Sequence, residues 1–230
     1  MKSKSSFYDN RVVNKPWGYE YTIYRNSNHL CVTLLKINYK KSTSLHCHPK
    51  KKTGFILING KALIQLGLWK SSSKSYKAPS KLMIRTGLFH SIKAVSKNGV
   101  FALEFETPVN KNDLVRYKDD YGRESKPYEG KKFTKSIGSE FIKFKKPKLS
   151  KNQIYKIGKT TISLEVHKSF SKLTKNKMST IFAILGGGII DKYGRNVLSY
   201  GDIIRTGTLK KLSEVFKIKK YLTILKVLKN

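Results

Sequence analysis

The sequence predicts an all-β protein with two barrel domains, the second of which is degenerate. Short segments of alternating apolar and polar residues recur along the chain, and glycine and asparagine separate them. This rhythm is typical of β-strands joined by tight turns, and many such strands in series favour a barrel or a sandwich. The second half of the chain also repeats part of the first half, which indicates two related domains.

The chain divides into four parts by composition. Residues 1–14 are polar and are predicted to form an N-terminal arm, and residues 15–108 carry the first barrel. Residues 109–150 form a polar and aromatic connector that is too long for a simple loop. Residues 151–230 carry the degenerate second barrel. The predicted strands, in order, are 19–24, 29–39, two strands within 54–68, 82–85, 91–95, 100–107, 160–167, 179–190, 201–209 and 221–228.

The internal repeat relates two pairs of segments. Residues 83–90, MIRTGLFH, recur as residues 203–210, IIRTGTLK, and the segment 55–60 resembles 181–187. The last residue of the first pair is histidine in the first copy and lysine in the second. We therefore expect a metal-site candidate in the first barrel only.

Three histidines of the first half form that candidate. His46 and His48 are one residue apart, and residues i and i+2 of a strand point to the same side. His90 follows a later strand and a glycine turn. Three neutral imidazoles that converge can bind a divalent metal such as zinc, iron or manganese. The alternative is a relic site in which the imidazoles form hydrogen bonds with one another and with water.

The net charge of +34 narrows the classes of ligand. Seven of the 48 basic residues are arginine, so 41 are lysine, and they are spread along the whole chain. Nucleic-acid binding predicts a concentrated basic face with arginine on phosphates and bases, so we do not expect a nucleic-acid partner. The positive field favours small anionic ligands, including sugar phosphates and nucleotide sugars.

Cysteine usage and the absence of long apolar runs predict a cytoplasmic protein. Cys31 and Cys47 form no CxxC motif and no even disulfide framework, which fits a reducing compartment. No apolar stretch approaches the length of a membrane span, and the N-terminus lacks the apolar core of a signal peptide. We therefore expect no membrane association.

Four stretches of the first half form an ordered set of motifs. They are KPWGYE at 15–20, SLHCH at 44–48, GLFH at 87–90, and LE at 103–104 followed by DLVR at 113–116 and DYGR at 120–123. In this order they resemble the cupin domain of type II mannose-6-phosphate isomerases, which are often fused to mannose-1-phosphate guanylyltransferases. The resemblance covers roughly the first 125 residues and implies a cupin fold there. Together with the internal repeat, it predicts an all-β bicupin, with two β-barrel or jelly-roll cupin domains and a degenerate second barrel.

The resemblance also implies aldose–ketose isomerisation with a metal at the three histidines and a nearby base. Glu104 is the candidate base, because strand alternation places it with Ala102 and Glu106 on the face that would look into the barrel. Two alternatives remain open. Glu104 could face solvent and pair with lysines, or it could complete the metal site.

Three arginines are candidates for binding the anionic part of a substrate. Arg85 lies just before the GLFH motif, and Arg116 and Arg123 lie in the DLVR and DYGR motifs. A guanidinium group can bind phosphate or carboxylate through two parallel hydrogen bonds. The alternative for the last two arginines is an ion pair that attaches the connector to the barrel, with Asp113, Asp119 or Asp120 as the partner.

One departure from the family bears on the chemistry. Cupins usually carry a glutamate four or five residues after the histidine pair, where this chain has Lys52 and Thr53. The resemblance implies a sugar-phosphate or nucleotide-sugar isomerase or epimerase of surface-polysaccharide synthesis. The missing glutamate favours the alternative, a non-catalytic carbohydrate-binding cupin. A third class, a nucleic-acid-associated protein, rests on charge alone. Since cupins commonly pair, a homodimer is an open alternative to a monomer.

Overall fold

The computed structural model describes residues 7–229, and it is built mainly from antiparallel strands, as predicted. Short 3-10 turns lie at Phe7–Asn10, Lys70–Ser72 and Lys131–Phe133. The strands of the first 150 residues are β1 (Arg11–Lys15), β2 (Gly18–Asn26), β3 (Leu30–Ile37), β4 (Leu45–Cys47), β5 (Lys52–Asn59), β6 (Lys61–Leu66), β7 (Lys74–Lys77), β8 (Ser80–Ile84), β9 (His90–Ala94), β10 (Val100–Thr107), β11 (Val115–Lys118) and β12 (Thr134–Ser136).

The first half of the chain encloses a core between two sheets. Seven strands pair in the order β12-β1-β2-β3-β10-β5-β8, and five pair in the order β11-β4-β9-β6-β7. Leu35 and Leu57 of the larger sheet share one buried apolar cluster with Ile64 and Ile92 of the smaller sheet. Because side chains alternate between the two faces of a strand, this shared cluster means that the two sheets lie face to face.

Two boundaries differ from the prediction. Residues 11–14 of the predicted arm form most of strand β1, which pairs with both β2 and β12. Val12 and Val13 are buried there, and burial of these side chains offsets part of the entropy cost of ordering the segment. Residues 1–6 of the predicted arm lie outside the described part of the chain. The predicted connector also supplies a strand to each of the two sheets, since β11 and β12 lie at their edges.

The second half forms a third sheet and a helix. Its elements are β13 (Gln153–Ile157), β14 (Thr160–His167), β15 (Ile181–Ile190), β16 (Asn196–Leu198), β17 (Ile203–Arg205), α1 (Thr206–Val215) and β18 (Lys217–Lys229). The strand order is β13-β14-β18-β15-β16, and β17 pairs with β15. Within residues 7–229, no helix combines the length and the apolar composition that a membrane crossing requires.

The third sheet packs against the outer face of the seven-stranded sheet. Leu103 and Phe105 of β10 share one buried cluster with Ile181 and Leu225 of the third sheet. Burial of one such side chain contributes about 1.5–3 kcal/mol to stability. Gly54 of β5 allows the close approach, because a Cβ atom there would lie 2.7 Å from Cδ1 of Ile203. The strand that follows the histidine pair is therefore supported from outside the barrel.

The second copy of the repeat begins a helix where the alignment predicts a turn and a strand. Residues 206–210 align with 86–90, but they form the start of α1. Leu209 and Leu212 are three residues apart, so they share a helical face, and they pack with buried Phe182 of β15. The helix therefore covers the outer face of the third sheet, where the first half has its five-stranded sheet. A degenerate second barrel stays a prediction.

Candidate metal centre

The three predicted histidines meet inside the first half of the chain. His46 lies on β4 and is paired directly across the sheet with His90, the first residue of β9. His48 follows the end of β4, and its ring centroid lies 5.0 Å from that of His46 and 5.4 Å from that of His90. One potential ligand atom from each ring lies within 4.8 Å of those of the other two.

Each histidine is oriented by a backbone carbonyl. A carbonyl oxygen can only accept a hydrogen bond, so the Nδ1 atom that contacts it carries the proton. The neutral ring then keeps a lone pair on Nε2. The three Nδ1–carbonyl distances are 2.8 Å from His46 to Ser44, 2.6 Å from His48 to Asp113 and 3.0 Å from His90 to Leu88.

The histidine Nε2 atoms fit the requirements of a metal ligand. Nε2 of His48 and of His90 is buried and has no hydrogen-bond partner within residues 7–229. Burial lowers the pKa of His48 to about 3 and that of His90 to about 4, and nearby Lys51 acts in the same direction. Burial, together with the other two histidines, also holds the pKa of His46 well below its usual value. All three rings are therefore neutral at pH 7, which is the form that binds a divalent metal.

Glu104 approaches this cluster from the opposite sheet. It lies on β10, and its Oε1 atom is 4.0 Å from Nε2 of His48. Burial and the negative charge of Glu106 raise the pKa of Glu104 to about 8, against the opposing effect of Lys51 and Lys111. The Glu104 carboxyl group is therefore mostly protonated at pH 7 and releases its proton near pH 8.

Glu106 lies two residues further along β10 and is fully paired with cations. It contacts the ammonium groups of Lys51 and Lys111, the latter at 2.7 Å, and Thr33 at 3.3 Å. Burial alone would raise the pKa of Glu106, but the two lysines outweigh it and hold that pKa below its usual range. The two carboxyl groups of β10 thus differ in charge because their partners differ.

Two of the three predicted arginines line the same cavity. Arg116 on β11 is paired across the sheet with His46, and its buried Nε atom has no hydrogen-bond partner in the described chain. Arg123 donates to both carboxylate oxygens of Asp119, at 2.6 and 2.9 Å, and to Glu129 at 2.6 Å. These ion pairs join residues of the connector to one another, and both Arg116 and Arg123 line the cavity.

Arg85 lies elsewhere, which corrects its placement in the site. Strand β8 ends at Ile84, and Arg85 belongs to the turn that leads to β9. Its side chain is exposed, and it is not among the residues that line the cavity. The turn instead contributes a backbone contact, since the Gly87 amide donates to the carbonyl oxygen of His48 at 2.9 Å.

The cavity at the histidines has a volume of about 60 Å³. This is room for a few water molecules, or for a metal ion with its water ligands. Positive charge prevails in its lining, because five cationic side chains face three carboxyl groups. The cations are Lys15, Lys51, Lys111, Arg116 and Arg123, and the carboxyl groups are Glu20, Glu104 and Glu106.

Several lining residues carry little signal in the sequence. Lys51 belongs to a run of three lysines beside the histidine motif, and only its burial separates it from its exposed neighbour Lys50. Lys111 and Tyr128 lie in the connector, where no periodicity marks them. Their contacts require the connector to fold back over the barrel, and this long-range packing has no local sequence pattern.

Together the fold and the site define a protein of two facing β-sheets with a buried three-histidine pocket suited to a divalent metal. Neither a family model nor a curated protein matches the chain. Many solved structures resemble it in part. An oxalate decarboxylase variant from B. subtilis is similar over 98% of this chain and 76% of its own, with 13% identity and a TM-score of 0.45.

Two further solved structures are similar to part of the chain. The capsular polysaccharide assembling protein CapF from Staphylococcus aureus shows 14% identity over 47% of this chain and 34% of its own, with a TM-score of 0.41. An uncharacterised protein with a double-stranded β-helix domain from Klebsiella pneumoniae subsp. pneumoniae shows 15% identity over 44% of this chain and 84% of its own, with a TM-score of 0.39.

Proposed function

We propose that the protein is a metal-dependent cupin that isomerises or epimerises an anionic sugar, either a sugar phosphate or a nucleotide sugar. One observation carries the proposal. Three neutral imidazoles meet at one cavity, the Nε2 atoms of His48 and His90 have no hydrogen-bond partner within residues 7–229, and the Glu104 carboxyl group, with a pKa of about 8, lies 4.0 Å from Nε2 of His48.

His46, His48 and His90 would hold the metal, and their backbone partners orient them for it. A divalent metal in such a site polarises the carbonyl and hydroxyl oxygens of a bound sugar. Cupins usually carry a glutamate after the histidine pair, and this chain has Lys52 and Thr53 at those positions. Thr53 is buried on β5 and does not line the cavity. Glu104 is the carboxyl group near the histidines.

Glu104 would act as the base. In aldose–ketose isomerisation, a base removes the proton from the carbon that bears the hydroxyl group and returns it to the neighbouring carbonyl carbon, while the hydroxyl proton passes to the carbonyl oxygen. A carboxyl group with a pKa of about 8 is partly ionised near neutral pH, and the ionised form can take up such a proton and return it. Glu106 is unsuited to this role, because Lys51 and Lys111 occupy its oxygens.

An anionic substrate fits the charge of the site. Arg116 keeps an unpartnered Nε donor, as far as residues 7–229 are concerned, and Lys111 lies at the same cavity. Buried cations in a low-dielectric cavity attract phosphate more strongly than exposed lysines do. Phosphate recognition would therefore be a property of the cavity rather than of the overall +34 charge.

A non-catalytic carbohydrate-binding cupin is the second candidate, and the size of the cavity favours it. At about 60 Å³, the space at the histidines is far smaller than the ~300–1,000 Å³ typical of ligand pockets. Turnover of a sugar would require the cavity to widen.

The protein's two cysteines, Cys31 and Cys47, are buried and free, which supports the cytoplasm as the compartment for both candidate functions.

Isotope exchange separates the two candidates. The metal-loaded protein is incubated in D₂O with mannose 6-phosphate, with further aldose and ketose phosphates, and with nucleotide sugars, and NMR follows deuterium uptake at the carbon next to the carbonyl. The isomerase proposal predicts uptake with at least one substrate and its loss in Glu104→Gln. Saturable binding of these sugars without exchange would instead support the non-catalytic cupin.

A further inference from the structure

A second cavity lies beside the metal centre and has about ten times its volume. It measures about 600 Å³, within the usual range for small-molecule sites. Lys15, Arg123 and Tyr128 line both cavities, so one layer of side chains separates them. We call this second cavity the groove. Its walls are the end of β1 with the following residue Pro16, and the connector segment 121–133.

Aromatic rings and prolines give the groove apolar walls. Tyr121, Tyr128 and Phe133 contribute rings, and Pro16 and Pro127 contribute flat pyrrolidine surfaces. Phe133 is 45% exposed, and the Nζ atom of Lys132 lies 5.0 Å from the centroid of its ring. Planar surfaces of this kind stack on the face of a nucleobase, and the stacking is tolerant of base identity.

Cations surround these walls. Lys126 and Lys132 are exposed at the groove, while Lys15 and Arg123 lie deeper. The groove's single carboxylate, Glu129, is already paired with Lys15 and with Arg123. The groove therefore presents a net positive charge to a ligand, because Glu129 forms its ion pairs with Lys15 and Arg123 and not with the exposed Lys126 and Lys132.

We propose that the groove binds the nucleoside diphosphate part of a nucleotide sugar. The rings would stack on the base, and Lys126 and Lys132 would contact the diphosphate. The attached sugar would then point towards the wall shared with the metal centre. This inference rests on the proposed function and narrows its substrate class, because a simple sugar phosphate has no planar group to occupy the aromatic part of the groove.

The layer between the two cavities is held by ion pairs that a diphosphate can replace. Lys15 contacts Glu129 and lies 3.5 Å from Glu20, and Tyr128 donates to Glu20. Arg123 contacts Glu129 at 2.6 Å. A diphosphate in the groove would compete with Glu129 for Lys15 and Arg123, and this loosens the wall on the side that faces the histidines.

Calorimetric titration with free nucleoside diphosphates tests the groove without involving catalysis. ADP, GDP, UDP and dTDP are titrated into the full chain at ~150 mM salt, where weak nonspecific binding by scattered lysines is screened. We expect at least one of them to bind more tightly than inorganic pyrophosphate. Phe133→Ala removes a ring without changing charge and should weaken that binding about five-fold or more. Lys132→Ala should weaken it as well.

Matched controls lie in the second half of the chain. Tyr193→Ala removes an aromatic side chain that is 69% exposed, and Lys192→Ala removes a neighbouring charge. Both should leave nucleotide binding unchanged. Equal affinity for pyrophosphate and all four nucleotides, with no effect of Phe133→Ala, would overturn the inference, because it would identify nonspecific attraction of anions.

The same titration separates this inference from the proposed function. A His48→Ala variant removes a metal ligand but leaves the groove intact, so it should bind the nucleotide as the wild type does. Nucleotide binding by a protein that takes up no metal would support the groove and contradict the isomerase. Deuterium exchange with a sugar phosphate, in a protein that binds no nucleotide, would support the isomerase and contradict the nucleotide-binding groove.

Discussion

His48 Nδ1 lies 2.6 Å from the carbonyl oxygen of Asp113, a residue 65 positions later in the chain. The carboxylate of Asp113 also accepts hydrogen bonds from the backbone amides of Lys50, at 3.0 and 3.1 Å, and of Lys51, at 2.8 Å. One residue of the connector therefore holds both the histidine ring and the chain that follows it. Partners of this kind fix the orientation of a metal ligand.

Replacing Asp113 should weaken metal binding although Asp113 is not itself a ligand. Asp113→Ala removes the acceptor of the Lys50 and Lys51 amides and frees the segment that carries the carbonyl bound to His48. We expect zinc affinity to fall about 10- to 100-fold, as is usual for residues that orient ligands. A competition titration with a chelator measures the effect. Asp120→Ala, on an exposed neighbour, is the control, and equal affinities in the two variants would refute the role of Asp113.

Glu104→Gln should abolish exchange while preserving the metal. Glutamine keeps the size of the side chain but cannot take up a proton, so the rate should fall about 10²–10⁴-fold if Glu104 is the base. Metal content, measured on the same preparation, should equal that of the wild type. Loss of the metal in this variant would show instead that Glu104 is a ligand.

Lys51→Met should destabilise the protein, because it leaves Glu106 with one ammonium partner fewer in a buried site. Removal of one member of a buried ion pair costs about 3–5 kcal/mol, and the remaining contact with Lys111 places the expected loss at about 3 kcal/mol. Urea denaturation measures it. Lys50→Met makes the same chemical change at an exposed neighbour and should cost far less; similar losses in both variants would argue against the buried pair.

Acid should remove the stabilising contribution of Glu165 on β14. Burial raises the pKa of Glu165, but hydrogen bonds from His167, Lys226 and Ser163 outweigh it and lower that pKa to about 2 from its usual 4.5. Because the folded-state pKa is the lower one, the contribution is complete above pH 4.5 and is lost as the pH falls towards 2. The stability difference between wild type and Glu165→Gln should shrink over that interval in urea denaturation. Glu214→Gln, at an exposed site, should show no such trend.

Local patterns predicted most of the first half. The period-two alternation of 100–107 is a property of a single strand, and the HxH spacing of His46 and His48 is local, so the sequence displays both directly. Arg85 was misplaced because the end of β8 depends on where its pairing with β5 stops, which is a tertiary feature. The start of α1 was missed because residues 206–210 follow the repeat closely, while the deciding contact is the burial of Leu209 against the third sheet.

The partners of the site were the least predictable part. The connector folds back onto the two sheets, and it brings Asp113 to His48 and Lys111 to Glu106. Neither contact has a periodic signal, because each joins residues of different segments through packing. The sequence predicted that the three histidines converge, but the backbone carbonyl partners of their Nδ1 atoms are visible only in three dimensions.

Metal stoichiometry is the most direct test of the metal centre. The protein is stripped with a chelator, loaded with zinc, iron(II) or manganese(II), desalted and analysed by inductively coupled plasma mass spectrometry. His29→Ala, which changes an exposed histidine away from the site, is the control for His48→Ala. We predict close to one metal ion per chain in the wild type and in His29→Ala, and almost none in His48→Ala. Folded wild-type protein that retains none of the three metals would contradict the account.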